Sequence, residues 1–194
     1  MSRLSLVLAA CAALVLPVAL PIAAHAATPA AASAHDPAKV AVVEQIMTNL
    51  KIVDVMKAGA EQGTRAQEAN LPEADMQQLI SLLDDELDKR RSDLVHAIAA
   101  DNCDRFTLDQ LGNILTLSKI KYVQDMVMHG ADPSTPLPDA ASMTADEQKT
   151  VDTLGNEAYV GDFLQNANVD ASTPIIAQAT VTAFSRFQAL KGNK

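Results

Sequence analysis

Apolar and polar residues are distributed along most of this chain with the period of an amphipathic α-helix. From residue 36 onward, apolar residues recur at steps of three and four positions, which predicts one buried face per helix. The first predicted helix begins at Asp36 and Pro37, an N-cap acceptor followed by proline at the first helical position, and runs to about Ala58. The second begins near Leu71 and keeps its apolar stripe as far as Ile98.

Two later segments repeat each other at an offset of 37 positions. Each begins with a capping box, Thr107-x-x-Gln110 in the first copy and Thr144-x-x-Glu147 in the second, in which the third residue of the helix reaches back to the cap. The other matching pairs are Phe106 and Met143, Leu117 and Leu154, Tyr122 and Tyr159, Val123 and Val160, and Asp125 and Asp162. Two copies are too few for a solenoid, so we expect two related helices within one bundle.

A proline-containing connector separates the two copies, and a final helix follows the second one. Residues 130–139 contain one glycine and three prolines, which predicts a helix stop and an extended segment. The final helix begins at Thr173 and Pro174, and its predicted buried side consists of Ile176, Ala179, Ala183, Phe184, Phe187 and Leu190. The sequence therefore predicts an all-α fold, a single bundle of about five amphipathic helices over residues 36–194.

Composition supports a helical core and limits the classes of partner. Aromatic residues make up 3% of the chain and tryptophan is absent, so Leu, Ile, Val, Met and Ala must fill the core, which suits helices better than sheets. The net charge is −9, from 15 basic and 24 acidic residues. Nucleic acid and anionic lipid need clustered cations, so we exclude both as expected partners.

The N-terminal segment has the pattern of a cleavable signal peptide. Arg3 precedes an apolar run over residues 4–22, which contains two prolines and ends at Ala24-His25-Ala26, a small-x-small cleavage site. We expect residues 1–26 to be removed and residues 27–35 to form a flexible leader, which places the protein in the periplasm or outside the cell without stable membrane insertion. Cys11 follows a lipoprotein-like Leu-Ala-Ala, but a second apolar stretch and the cleavage site come after it, so we expect no lipidation there.

Cys103 is the single cysteine left after removal of the signal peptide. It has no partner for an intramolecular disulfide, so we expect either a buried thiol or one available for an intermolecular bond. His96, Asp101 and Asp104 lie near it in the sequence, which raises the alternative of a thiol-dependent enzyme. The same acidic turn lacks the glycine and glutamate of a calcium-binding loop.

Met126, Met128 and His129 form the candidate metal site. Thioether and imidazole ligands suit copper, and Met143 lies beyond the connector as a further sulfur ligand. The alternative interpretation is that Met126 packs in the core and that His129 interacts favourably with the last turn of its helix. We expect no resident cofactor otherwise.

A run of charged residues over positions 84–91 resembles an acid–base or metal cluster. Its charges are arranged so that Asp85 precedes Lys89 and Glu86 precedes Arg90 by four residues, the favourable order for helical ion pairs. We therefore expect a solvated, salt-bridged helix face.

The motif Phe106-Thr107-x-x-x-Leu111, in an exported, alanine-rich helical chain, resembles a family of bacterial periplasmic proteins of unknown function. The resemblance covers roughly residues 38–190 and implies a helical fold and a periplasmic location, without catalytic residues to transfer.

The phosphate-binding, nucleophile-elbow and zinc-protease motifs are absent from the sequence, which favours a binding protein over an enzyme. We expect a non-enzymatic module that binds a protein partner or itself through an apolar groove or helix face. Copper binding is the second hypothesis, and a thiol-dependent enzyme is the third.

Overall fold

The computed structural model describes residues 35–165 and 169–192, and all regular structure in these two ranges is helical. The predicted all-α class is therefore confirmed. Short 3-10 turns over Ala140–Ser142 and Asp170–Ser172 precede the seventh and the last helix. The α-helices, numbered here in chain order, are α1 (Pro37–Asn49), α2 (Ile52–Gln67), α3 (Glu73–Lys89), α4 (Arg91–Cys103), α5 (Leu108–Ser118), α6 (Lys121–Ala131), α7 (Ala145–Leu154), α8 (Ala158–Gln165) and α9 (Thr173–Gly192).

The predicted signal peptide over residues 1–26, with Cys11, lies outside the described residues. So does the predicted leader, apart from His35. The export of the protein stays a prediction. None of the helices in the described part of the chain has the length and apolar character needed to cross a membrane.

The expected number of about five helices is wrong, because four predicted helices are each divided in two. The first ends at Leu50, and Lys51 takes the left-handed conformation (φ 53°) before α2 begins. Helix α2 then continues through both of its glycines to Gln67. The second is interrupted at Arg90, and the repeat copies are interrupted at residues 119–120 and 155–157. The apolar stripe continues across each break because the two halves face the same core, so periodicity alone does not reveal the break.

Both predicted capping boxes are formed. In the first, the Gln110 backbone amide donates to Thr107 Oγ1 at 3.2 Å, and the Thr107 amide donates to Gln110 Oε1 at 2.9 Å. In the second, the Glu147 amide donates to Thr144 Oγ1 at 3.2 Å, and the Thr144 amide donates to a Glu147 carboxylate oxygen at 2.8 Å. Each copy of the repeat is therefore a capped helix followed by a break and a second helix.

The helices pack around one apolar core, with α1 lying against α2, α4 and α5. Val43 and Ile46 of α1 are fully buried in it. The two repeat copies meet in this core through Phe106 and Phe163, whose ring centroids are 5.4 Å apart, and through a hydrogen bond of 2.8 Å from Asn113 Nδ2 to the Tyr159 hydroxyl. The packing therefore joins the copies to each other as well as to α1.

The last helix begins at Thr173 as predicted and packs mainly against α3. Ala179 and Ala183 are fully buried, and small side chains at this interface allow the two helices to approach closely. The prediction that Leu190 is buried is wrong, since 46% of it is exposed in the last turn of the helix.

Glu86 of α3 is a buried charged residue that links α3 to α9. Its carboxylate accepts hydrogen bonds from Lys89 (2.7 Å), Arg90 (2.6 Å) and Arg186 of α9 (2.8 Å), although only 4% of the residue is exposed. The Glu86–Arg90 pair was predicted. The expected solvated face is wrong at Glu86, because this residue is buried. The predicted pairing of Asp85 with Lys89 is also wrong: Lys89 pairs with Glu86, and Asp85 lies 3.8 Å from Arg186.

The cations around Glu86 make its contribution to stability depend on pH. Hydrogen bonds from Lys89 and Arg90, reinforced by Arg186, lower the pKa of Glu86 from 4.5 to about 2, against the opposing effect of burial. A lowered pKa in the folded state means that the stabilisation is fully present above the unfolded value and is lost as pH falls towards 2.

We expect Glu86→Gln to lower the free energy of unfolding by about 2 kcal/mol at pH 6, because it leaves three cations without their shared carboxylate. Chemical denaturation at pH 6 and at pH 2.5 measures this. The difference between the two proteins should shrink at the lower pH, because Glu86 is then protonated in the unfolded chain, and folding must remove that proton before the carboxylate can pair with its cations. A difference that stays constant between the two pH values would contradict this account.

Replacing Lys51 tests the left-handed connection between α1 and α2. A side chain in this conformation costs about 1–2 kcal/mol, so we expect Lys51→Gly to stabilise the protein by about 0.5–1 kcal/mol after the extra backbone entropy of glycine in the unfolded state. Thermal or chemical unfolding measures the change. Lys51→Ala is the matched control, since it removes the same side chain but keeps the strained Cβ, and it should show no gain.

Candidate functional site

The predicted copper ligands Met126, Met128 and His129 all lie on α6. Met126 is buried in the core, and Met128 is partly buried against it, two positions further along the helix. Side chains two positions apart on a helix do not face each other, whereas Met126 and His129, three positions apart, occupy neighbouring positions on one face of α6. The burial of Met126 agrees with the core-packing interpretation.

His129 holds the start of the proline-containing connector. Its Nδ1 lies 2.7 Å from the backbone oxygen of Thr135. Because a carbonyl oxygen only accepts, Nδ1 carries the proton, and the lone pair of a neutral ring is on Nε2. That arrangement is compatible with a metal ligand at Nε2. A copper-binding role for Met126, Met128 and His129 stays a prediction.

Two of the sequence neighbours of Cys103, His96 and Asp101, are held by other partners. His96 instead pairs with Glu44 of α1, with Nδ1 2.6 Å from a carboxylate oxygen. Asp101 accepts a hydrogen bond of 3.2 Å from the backbone amide of Ala171, in the turn before α9. Both residues connect neighbouring elements.

His35, which was not among the predicted site residues, lies beside Cys103 and Asp104. Its Nδ1 is 2.8 Å from Asp104 Oδ2, and one potential ligand atom from each of the three residues lies within 4.8 Å of the other two. His35 immediately precedes the N-cap residue Asp36, so the start of α1 sets its position. Since α1 packs against α4, His35 reaches the end of α4, where Cys103 and Asp104 lie. No local pattern links residues so far apart in sequence.

The surroundings of Cys103 keep its thiol protonated. The residue is fully buried, and the thiol donates to the backbone oxygen of Ala100 at 3.3 Å. Burial raises the pKa of Cys103, and the charge of Asp104 and a hydrogen bond to it act in the same direction. A hydrogen bond from His35 lowers the pKa of Asp104 and keeps that carboxylate ionised. Activated cysteines have a lowered pKa, so this environment does not favour the thiol-dependent enzyme.

A surface groove of about 330 Å³ lies between the start of α6 and the segment that leads into α7. Its apolar lining comes from Ile120, Tyr122, Pro138 and Met143. Tyr122 and Met143 are partly buried and pack against the core, which holds them in place. By contrast, the apolar cavity beside Leu50 has a volume of about 10 Å³, which is too small for a ligand larger than water.

Three carboxylates and one ammonium group also line the groove. Lys121 pairs with Asp125 on the exposed side of α6. Asp139 accepts from the backbone amide of Ala141 at 2.9 Å, and Glu147 completes the second capping box, so both carboxylates are held by local backbone. Hydrogen bonds donated by the Thr144 backbone amide and hydroxyl lower the pKa of Glu147, which keeps it ionised. The groove is thus apolar at some walls and negatively charged at others.

Comparisons of the chain with protein-family models, with curated proteins and with solved structures give no match. The resemblance to the helical periplasmic family of unknown function stays a prediction. The candidate functional sites are therefore the group around Cys103 and the groove beside Tyr122.

The burial of Cys103 predicts resistance to alkylation. We expect iodoacetamide to modify the folded protein, in the presence of a chelator, at least about tenfold more slowly than the protein unfolded in guanidinium, because the reagent needs an exposed thiolate. Mass spectrometry of timed samples measures the rate. Equal rates in the two states would show that the thiol is accessible and would return the enzyme hypothesis to consideration.

Proposed function

We propose that the protein is an exported, non-enzymatic binding module whose groove between α6 and α7 binds a short basic segment of a partner protein. The groove is the observation that carries this proposal, because it combines a cleft of about 330 Å³ with apolar walls and an excess of negative charge. Export is supported by the signal-peptide pattern around Arg3 and Ala26.

Charge decides which partner fits. Three carboxylates and a single lysine line the groove, and the whole chain has a net charge of −9. Since Lys121 is already paired with Asp125, the groove retains carboxylates that attract a lysine or arginine. A second copy of this acidic chain would place like charges together, so a basic partner fits better than self-association through this face.

The apolar walls determine which kind of basic segment fits. Met143 is an adaptable side chain that accommodates apolar groups of different shapes, and Tyr122 offers a ring with a polar edge. Leu137, next to Pro138 in the sequence, is 68% exposed and adds apolar surface to the same connector. We therefore infer an amphipathic ligand that presents a cation and an apolar side chain together.

A labelled synthetic peptide of alternating lysine and leucine serves as the probe, and its acidic counterpart with glutamate in place of lysine serves as the control ligand. We expect fluorescence anisotropy to detect binding of the basic peptide only. Met143→Ala should weaken binding roughly fivefold through lost apolar contact, and Lys121→Glu should tighten it roughly threefold through added negative charge. Salt should weaken binding in every case.

Lys149→Glu is the matched control, because it makes the same charge change at an exposed position of α7 that does not line the groove. If it tightens binding as much as Lys121→Glu, the peptide responds to overall charge and the groove is not its site. Equal binding of the acidic peptide would also contradict the proposal.

A further inference from the structure

The group formed by His35, Cys103 and Asp104 combines three types of metal ligand at the surface of the domain. Its imidazole, thiol and carboxylate each place a potential ligand atom within 4.8 Å of the other two. Cys103 forms the buried floor of the group, while the side chains of His35 and Asp104 are 36% and 56% exposed. The group is therefore open towards solvent on one side and closed on the other.

We propose that His35, Cys103 and Asp104 bind one Zn²⁺ ion, with water as the fourth ligand. Zinc sites in proteins are tetrahedral and use the same nitrogen, sulfur and oxygen donors. Zinc–ligand bonds of about 2.0–2.3 Å place the ligand atoms about 3.3–3.8 Å apart, so the three side chains need only small adjustments. Solvent reaches the open side of the group, which leaves the fourth position to water.

The charges of the group balance those of a zinc ion. On binding, the Cys103 thiol loses its proton to solvent and a sulfur–zinc bond replaces the sulfur–hydrogen bond. His35 binds through Nδ1 as the neutral ring with its proton on Nε2, in place of the present hydrogen bond to Asp104. One thiolate and one carboxylate then neutralise the two positive charges of the metal. The sulfur–zinc bond offsets the burial and the nearby Asp104 charge that keep the free thiol protonated.

The cation Lys39, one turn into α1, opposes the metal. Its charge acts on both Cys103 and Asp104. Removing this charge should therefore strengthen zinc binding. If His35 and Asp104 formed only a structural ion pair, the loss of the Lys39 charge would leave zinc affinity unchanged. This makes Lys39→Gln an informative variant.

The ion would connect two parts of the chain that are distant in sequence. His35 belongs to the segment that enters α1, and the other two ligands lie at the end of α4. The site would thus fix the entry segment to the helical domain. This inference is independent of the proposed groove, because none of the three ligands lines it.

The test uses the full mature chain, stripped of metal with a chelator and titrated with Co²⁺ as a spectroscopic probe and then with Zn²⁺. We expect one Co²⁺ per chain, a thiolate-to-cobalt charge-transfer absorption in the near ultraviolet, and loss of that absorption when Zn²⁺ displaces Co²⁺. His35→Gln and Asp104→Asn should each weaken Zn²⁺ binding by at least about tenfold, and Lys39→Gln should tighten it.

His96→Gln is the matched control. His96 and Glu44 form a similar histidine–carboxylate pair at 2.6 Å. Within the described residues, this pair belongs to no cluster of three potential metal ligands. Substitution of His96 should leave Zn²⁺ affinity unchanged. Cys103→Ser should abolish the charge-transfer absorption, but it also alters the core. The substitutions of the more exposed His35 and Asp104 are therefore the decisive test.

Several results would overturn the proposal. Cobalt that binds without a charge-transfer absorption is held by other groups than Cys103. Zinc affinity that is the same in His35→Gln as in the parent protein excludes His35 as a ligand. Binding that is lost in His129→Gln instead would move the metal to α6, where the copper hypothesis placed it.

Discussion

The burial of α1 is the constraint on which the rest of this structure depends. Val43 and Ile46 are fully enclosed, and α1 contacts α2, α4 and α5. With few aromatic side chains available, the core needs many aliphatic residues from several short helices, and a central helix lets each of them bury its apolar face. The same packing places His35, just before α1, against the end of α4. The candidate metal ligands are therefore brought together by the core itself.

Ion pairs complete the packing of α9 on α3. The buried residues of the long helix α9 are Ala179, Ala183 and Phe187. Glu86, enclosed on α3, receives Arg186 from α9 together with two cations of its own helix, and Lys191 pairs with Asp75 at the other end of the contact. Such pairs set the position of one helix along the other, because a shift by one turn would leave a buried carboxylate without its partners.

Chemistry-bearing residues were predicted with uneven success, for identifiable reasons. The capping boxes at Thr107 and Thr144 are local patterns, and both formed as expected. Met126, Met128 and His129 are close in sequence, but helical geometry places Met128 on a different face of α6 from Met126. His35 and Cys103 are far apart in sequence, and only the contact between α1 and α4 brings them together. The groove combines residues of α6 with the connector and α7, so no single segment of sequence displays it.

The sequence by itself determined the helical class, the start of α1, the caps of both repeat copies and the start of α9, because periodicity, N-cap chemistry and proline act within a few residues. Only the tertiary structure decided where the long amphipathic segments divide, which carboxylate is buried and which polar side chains meet. Those outcomes depend on the docking of helices whose apolar stripes are compatible with several divisions. The left-handed Lys51 illustrates this, since nothing local favours it and the packing of α1 and α2 on one core requires it.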